Sequence, residues 1–346
     1  MKKKAKNPVK SIITIVISLA FAGFFLWFAL KGLDFKVIQK SLAKANYWWV
    51  LLAACFGISA YWFRAIRWNL MLEPMGHHIS DSNSLWSISF GYLMNLTIPR
   101  SGEVARATAL YGVEKVPVDK SIGTIILERI VDLACMVAFL GLTLIFKFNT
   151  ILSFWKYIEK EFLKKIANSV FYLYVFGISI IILVAVFIIF RSRIRNNVFY
   201  KKVISILSGI GEGLKTIFNL KQKKKFILYT VGIWVSYYFA AYLVCFALPE
   251  TSDFVFADGF LILVVGTFGM IIPASGGIGA FNLAMKYGFM ALFISMGKSG
   301  EVGGEVGLTY SFISLPLQIT IMLVMGLISI PMLAKERNKV FPSQKI

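Results

Sequence analysis

The chain has 346 residues, 58% of them hydrophobic and only 16% charged, with 37 Lys and Arg against 17 Asp and Glu. A soluble globular domain is closer to about 45–50% apolar and about 25% charged, so the composition excludes an ordinary soluble fold and points to an all-α polytopic membrane protein. A β-barrel would need alternating strands, which the sequence lacks.

The first element is Ser11–Leu30, behind a basic N-terminus carrying Lys2, Lys3, Lys4, Lys6 and Lys10. It imitates a signal peptide, but its apolar run is long enough to span, so it reads as a retained first helix. Further spans are predicted at Tyr47–Phe63, Leu133–Phe148 with an extension from Ser121, Val170–Phe190, Phe226–Leu248 and Leu308–Leu333. That makes about six spanning helices. Between the second and third lies Leu85–Ile98, a length typical of re-entrant segments. Between the fifth and sixth lie Phe260–Pro273, a glycine-rich turn and a second apolar stretch, Phe281–Met296.

Both short elements end on the same motif. Ile98-Pro99-Arg100-Ser101-Gly102-Glu103-Val104 recurs as Ile272-Pro273-Ala274-Ser275-Gly276-Gly277-Ile278, and the two prolines are 174 residues apart. Pro and Gly break a helix and free backbone N–H and C=O groups. Hydrocarbon cannot satisfy such groups, so a break at membrane depth must line protein or a wet cavity. Paired breaks in two halves of a chain point to a transporter's binding site.

Charge decides how the first break crosses. The 191–225 loop holds ten basic residues against Glu212 alone, and the C-terminus holds Lys335, Arg337, Lys339 and Lys345. Both belong in the cytoplasm by the excess of basic residues on that side. The loop reaches it only if Leu85–Ile98 returns to its own side as a hairpin. The second element keeps the same parity whether it crosses twice or re-enters. The predicted architecture is thus a single integral membrane domain, 1–346, with pseudo-repeat halves of about 1–169 and 170–346. It carries two re-entrant broken hairpins in an inverted-repeat arrangement, with both termini cytoplasmic. Two loops fit less well: 31–46 has four Lys and 147–169 has five, yet both fall outside.

The densest polar cluster belongs to the first hairpin and the helix after it: Asn95, Arg100, Ser101, Glu103 and Arg106, then Glu128, Arg129 and Asp132. Glu128 and Asp132 share one helical face. An ionisable residue within the membrane costs roughly 2.5–3.5 kcal/mol on insertion scales and needs a partner or a cavity. One reading is an anion site in which Arg100, Arg106 or Arg129 faces a phosphate, because guanidinium matches phosphate bidentately. The other places Glu128, Arg129 and Asp132 at the interface, pairing locally with Arg100 or Arg106. Arg64 and Arg67, flanked by Trp62 and Trp68, divide between arginines snorkelling at an aromatic belt and a headgroup contact. In the second turn, Ser275, Gly276, Gly277 and Gly279 carry no charge. Exposed N–H groups there can bind an anion, or the glycines serve helix packing.

Catalytic signatures are thin, with no Gly-x-Ser-x-Gly elbow and no His-Glu-x-x-His. Cys55, Cys135 and Cys245 lie in separate apolar segments, and His77 and His78 are adjacent, so no metal-ligand spacing is present. No cofactor is expected. The formal charge of +20 does not argue for nucleic acid, because the basic residues sit in loops between apolar spans, where they read as topology signals and headgroup contacts.

The segment from Pro99 to Arg106 followed by Glu128-Arg129-Ile130-Val131-Asp132 resembles the Pro-x-x-Gly-Glu-x-x-Arg … Glu-Arg-x-x-Asp signature of the lysylphosphatidylglycerol synthase transmembrane-region family. Pro273 through Gly279 is similar to that family's Pro-x-x-Gly-Gly-x-Gly element, and Arg64-x-x-Arg67-Trp68 to its early Arg/Trp motif. The resemblance implies a flippase-like membrane domain that moves a phospholipid or a lipid-linked phosphate intermediate across the cytoplasmic (inner) membrane of a bacterium. Its partners would be membrane lipids with anionic or phosphate-bearing headgroups; a homo-oligomer is left open. Aminoacyl transfer is not expected, because only a short segment follows the last span. The alternative is a membrane-embedded enzyme or accessory subunit acting on lipid-linked substrates. Where some members place a Glu after the glycine turn, this chain has Phe281 and Asn282, so the resemblance carries no charged group into the second half; Asn282 is the polar candidate there.

Overall fold

In the computed structural model the described residues are 39, 42–98, 101–166, 220, 222–271 and 277–340. They form eight α-helices in chain order: α1 Tyr47–Leu72, α2 Asp81–Thr97, α3 Gly102–Glu114, α4 Val118–Ile166, α5 Lys223–Cys245, α6 Phe256–Ile271, α7 Ala280–Ser295 and α8 Gly300–Val340. No strand occurs among the described residues. Four helical stretches are long and apolar enough to cross a membrane: Tyr47–Met75, Val118–Lys160, Lys223–Cys245 and Gly300–Val340. They coincide with four of the six predicted spans, and the described residues are all-helical, consistent with a membrane protein. The other two, Ser11–Leu30 and Val170–Phe190, lie outside the described residues.

The frame is the antiparallel pair α1 and α5. At one end the Asn46 N–H donates to Ala247 O at 2.8 Å; at the other, Gln222 Nε2 donates to Glu73 Oε2 at 2.7 Å. Chain direction therefore puts the entry to α2 at the Glu73 end and the entry to α6 at the Asn46 end.

Helices α2 and α3 form a hairpin. Its open end is tied where Glu114, the last residue of α3, accepts from the Ser80 N–H at 3.1 Å and from Asn83 Nδ2 at 2.7 Å. Its tip closes where Asn95 Oδ1 accepts the Gly102 N–H at 2.7 Å and Ser101 Oγ donates to Ile98 O at 2.7 Å. Those side chains satisfy backbone groups that the break would strand. A Cβ on Gly102 would collide with Gly91 O, so both glycines are needed for the arms to touch. At 17 and 13 residues the arms are about 26 and 20 Å long, short of the roughly 30 Å of hydrocarbon.

Helices α6 and α7, each 16 residues, repeat the arrangement at the opposite end of the α1/α5 pair. Lys298 Nζ meets Asp253 Oδ2 at 2.5 Å across the open end. At the tip, Gly277 and Gly279 have φ of +75° and +84°, and the Gly279 N–H donates to Asn282 Oδ1 at 2.9 Å. Helix α8 ties the two hairpins together. Gly303 and Gly307 let it lie directly on Phe289, Phe293 and the backbone at Met285 of α7, while Gly326 packs on Leu93 of α2. Close backbone approach through small residues is how helices gain contact where lipid removes the hydrophobic drive.

Helix α4 has 49 residues, about 73 Å if straight, and it breaks once: Lys147 leaves helical dihedrals at φ −126° and ψ 22°. The predicted span ended at Phe148, one residue past that break. Lys147 Nζ pairs with the buried Asp258 at 2.5 Å, and Asp258 Oδ2 also accepts the Val255 N–H at 2.7 Å, capping the start of α6. Helix α1 runs nine residues beyond the predicted Phe63 end, because Arg64 and Arg67 sit inside the helix with counter-charges supplied by α4.

Candidate functional site

Helix α1 brings Arg64 and Arg67 to one face, α3 brings Arg106, and α4 brings Glu128 and Asp132 on successive turns. The side chains converge. Glu128 Oε1 lies 2.8 Å from Arg64 Nη1 and 3.4 Å from Arg67 Nη2, and its Oε2 lies 2.8 Å from Arg106 Nη2. Asp132 bridges the two α1 arginines, Oδ2 to Arg64 Nη2 at 3.0 Å and Oδ1 to Arg67 Nη2 at 2.9 Å. Arg64, Arg67 and Arg106 are exposed by 3%, 0% and 5%, and Glu128 by 0%. The snorkelling reading of Arg64 and Arg67 is therefore corrected: they face inward, onto carboxylates more than sixty positions away in sequence.

Apolar and hydroxyl neighbours set the guanidinium planes. The Arg106 guanidinium lies 3.7 Å over the Trp68 ring, and Trp68 Nε1 donates to Thr124 Oγ1 at 2.9 Å. Arg67 Nη1 also donates to Thr230 Oγ1 of α5 at 3.4 Å. The Nε atoms of Arg64, Arg67 and Arg106 remain buried with no hydrogen-bond acceptor. Three buried cations face two carboxylates, so one positive charge is left over among them. A surplus charge in low dielectric costs several kcal/mol unless a counter-charge meets it.

Arg129 stands at the rim. Its Nε donates to Glu103 Oε1 at 3.0 Å, and its Nη1 lies 3.8 Å from Asp132 Oδ2. The Arg129 and Glu103 side chains are 47% and 51% exposed. Of the arginines expected to face a phosphate, Arg106 is committed to Glu128 and Trp68, Arg129 is reachable, and Arg100 lies outside the described residues. Glu128 does pair with Arg106, as the local-pairing reading expects, but it is buried rather than at an exposed interface.

The remaining predicted residues separate by place. Asn95 and Ser101 hold the first tip together, as described above. Asn282 is buried, caps α7 through the Gly279 N–H, and donates from Nδ2 to Ser311 Oγ of α8 at 2.7 Å. Gly277 and Gly279 form the second turn, while Ser275 and Gly276 lie outside the described residues. The sequence reading missed Trp68, Thr124 and Thr230 as supports of the arginines. Trp68 adjoins Arg67 in the motif, but nothing in a single sequence links it to Thr124.

Two helical hairpins thus enter opposite ends of the α1/α5 frame of a membrane domain, and a buried arginine–carboxylate cluster lies beside the tip of the first. Residues 15–324 match the family described as lysylphosphatidylglycerol synthase TM region, and the chain belongs to that family. A UPF0104 membrane protein of Methanocaldococcus jannaschii is 29% identical over 153 residues, which is 43% of this chain and 44% of that protein. The match thus spans less than half the length of the curated relative. No solved structure matches.

Proposed function

We propose that this chain moves a phospholipid or lipid-linked phosphate between the leaflets of the cytoplasmic membrane, as a transporter rather than an enzyme. The observation that carries this reading is the surplus positive charge of the Arg64, Arg67, Arg106, Glu128 and Asp132 cluster, set beside the reachable Arg129 at a helix break. Guanidinium matches a phosphate bidentately, and the lipid tails would stay in the bilayer. Family membership supports the same reading through its membrane domain. Glu128 and Asp132 are held in ion pairs, which suits fixing arginines better than acid–base chemistry. The two hairpins would form the inverted repeat, with the α2/α3 base and both termini on the cytoplasmic side and the α6/α7 base outside.

Proteoliposomes carrying a fluorescent phosphatidylglycerol test the proposal. The protein should speed exchange of the labelled lipid between leaflets without changing its mass, and Arg129→Gln should abolish that flux. A change in lipid mass would favour the membrane-embedded enzyme reading instead. Flux that Arg129→Gln leaves intact would remove the cluster from the transport path.

A further inference from the structure

Among the described residues of this cluster, Glu103 is the one carboxylate that holds no buried arginine. It is about half exposed, it sits in the first turn of α3 immediately after the break, and it meets Arg129 through a single contact at 3.0 Å. Glu128 and Asp132, by contrast, each engage two or more guanidinium groups. A single monodentate contact between two half-exposed side chains holds less firmly than a bidentate pair. A phosphate ester can engage two guanidinium N–H groups at once, so it outcompetes a single carboxylate contact.

We infer that Glu103 is a tethered stand-in for the phosphate: it holds Arg129 in the unloaded protein, and an arriving phosphate ester takes Arg129 over from it. The inference rests on the phosphate-lipid reading above and names how that site is regulated. Charge favours the exchange. Four arginines, Arg64, Arg67, Arg106 and Arg129, face three carboxylates, so the described cluster carries one net positive charge, and a phosphodiester brings it to neutrality. The released Glu103 stays beside the N-terminus of α3, where the helix dipole favours a carboxylate. Because Glu103 competes with the substrate at every step, it also returns Arg129 to its resting partner when the phosphate leaves. Glu103 is thus expected to weaken binding and to speed release.

The test is a titration of the full chain in detergent with dihexanoylphosphatidylglycerol, with inorganic phosphate and dihexanoylglycerol as parallel probes. Glu103→Gln should bind the short phospholipid about two- to fivefold more tightly than the parent, the range set by loss of an exposed ion pair. Arg129→Gln should bind about tenfold more weakly or worse. The double variant should match Arg129→Gln alone, because Glu103 acts only through Arg129. In proteoliposomes Glu103→Gln should show slower flux at saturating lipid despite its tighter binding. Should Glu103→Gln not elute as a single monodisperse species, Glu103→Asp, which withdraws the carboxylate by one methylene, should also bind more tightly than the parent. If the parent binds in an Arg129-dependent way and neither Glu103 variant tightens it, the stand-in role is wrong and the phosphate reading survives. If inorganic phosphate binds as well as the phospholipid with the same dependence on Glu103, the exchange stands and the lipid reading falls. Equal binding of dihexanoylglycerol, which lacks phosphate, would overturn both.

Discussion

Arg67 and Arg129 carry the same charge within one cluster, yet their surroundings give them opposite roles. Arg67 is fully buried, and its counter-ions among the described residues are Glu128 and Asp132. Arg129 is about half exposed, and its closest carboxylate contact is the single one to Glu103. Removing one partner of a buried pair leaves an uncompensated charge, worth about 3–5 kcal/mol, whereas breaking an exposed pair costs under about 1 kcal/mol. Asp132→Asn should therefore lower the thermal unfolding midpoint by several degrees or prevent recovery of folded protein, while Arg129→Gln should leave the midpoint nearly unchanged. Equal losses in the two variants, measured on detergent-solubilised protein, would contradict the burial difference on which the site rests. The sequence made one side of this cluster legible. Glu128 and Asp132 at four-residue spacing announced a charged helix face, and their cost in hydrocarbon demanded partners. It could not say which arginines answered, because Arg64 and Arg67 lie on another helix more than sixty positions away. Near two tryptophans and the end of an apolar run, they read as interface residues.

The two hairpins are built from similar parts in different order. In the first, Asn95 precedes the break and accepts the Gly102 N–H across it; in the second, Asn282 follows the break and accepts the Gly279 N–H. Each side chain takes up a donor that neither helix satisfies, which keeps a turn inside protein from carrying an orphaned N–H. The Pro-x-x-Gly elements revealed where the chain breaks. The closeness of the arms was not legible, since the contact of Gly91 with Gly102 depends on the hairpin having folded back. That contact gives the element its test. Gly102→Ala places a methyl group against Gly91 O and the Asn95 amide, so it should destabilise by about 1–3 kcal/mol, in the range of overpacked interiors. Gly112→Ala, on the same helix with nothing within 4 Å of its added Cβ, should be neutral or slightly stabilising through helix propensity. Thermal unfolding of the pair checks this, and a tolerated Gly102→Ala would mean that the arms can separate freely.

At the scale of the whole molecule, opposite ends of the α1/α5 pair carry opposite hairpin bases, Ser80 and Glu114 at one and Asp253 and Lys298 at the other. The same division bears on one lysine of a misfit in the charge pattern. Lys147 belongs to a basic stretch that the span count puts on the outer side, against the usual bias. In the structure it is spent on Asp258, so it pairs with an acid of the 249–258 segment rather than standing as a free topology signal. Lys298 is likewise matched by Asp253. Counting basic residues along a sequence cannot see such pairing, although the pairing accounts for Lys147 alone, since Lys156 and Lys160 of the same stretch are exposed. Helix α5 joins the two ends within 23 residues, about 35 Å, enough to cross the hydrocarbon. Single cysteines introduced as Lys223→Cys and Asp253→Cys, in a background lacking Cys55, Cys135 and Cys245, should therefore be reached from opposite sides. A membrane-impermeant maleimide added to intact cells should label Asp253→Cys at once. It should label Lys223→Cys only after the membrane is opened. Labelling of both from one side would mean that α5 does not span, and the hairpins would then enter from the same face with no path between leaflets for a lipid phosphate.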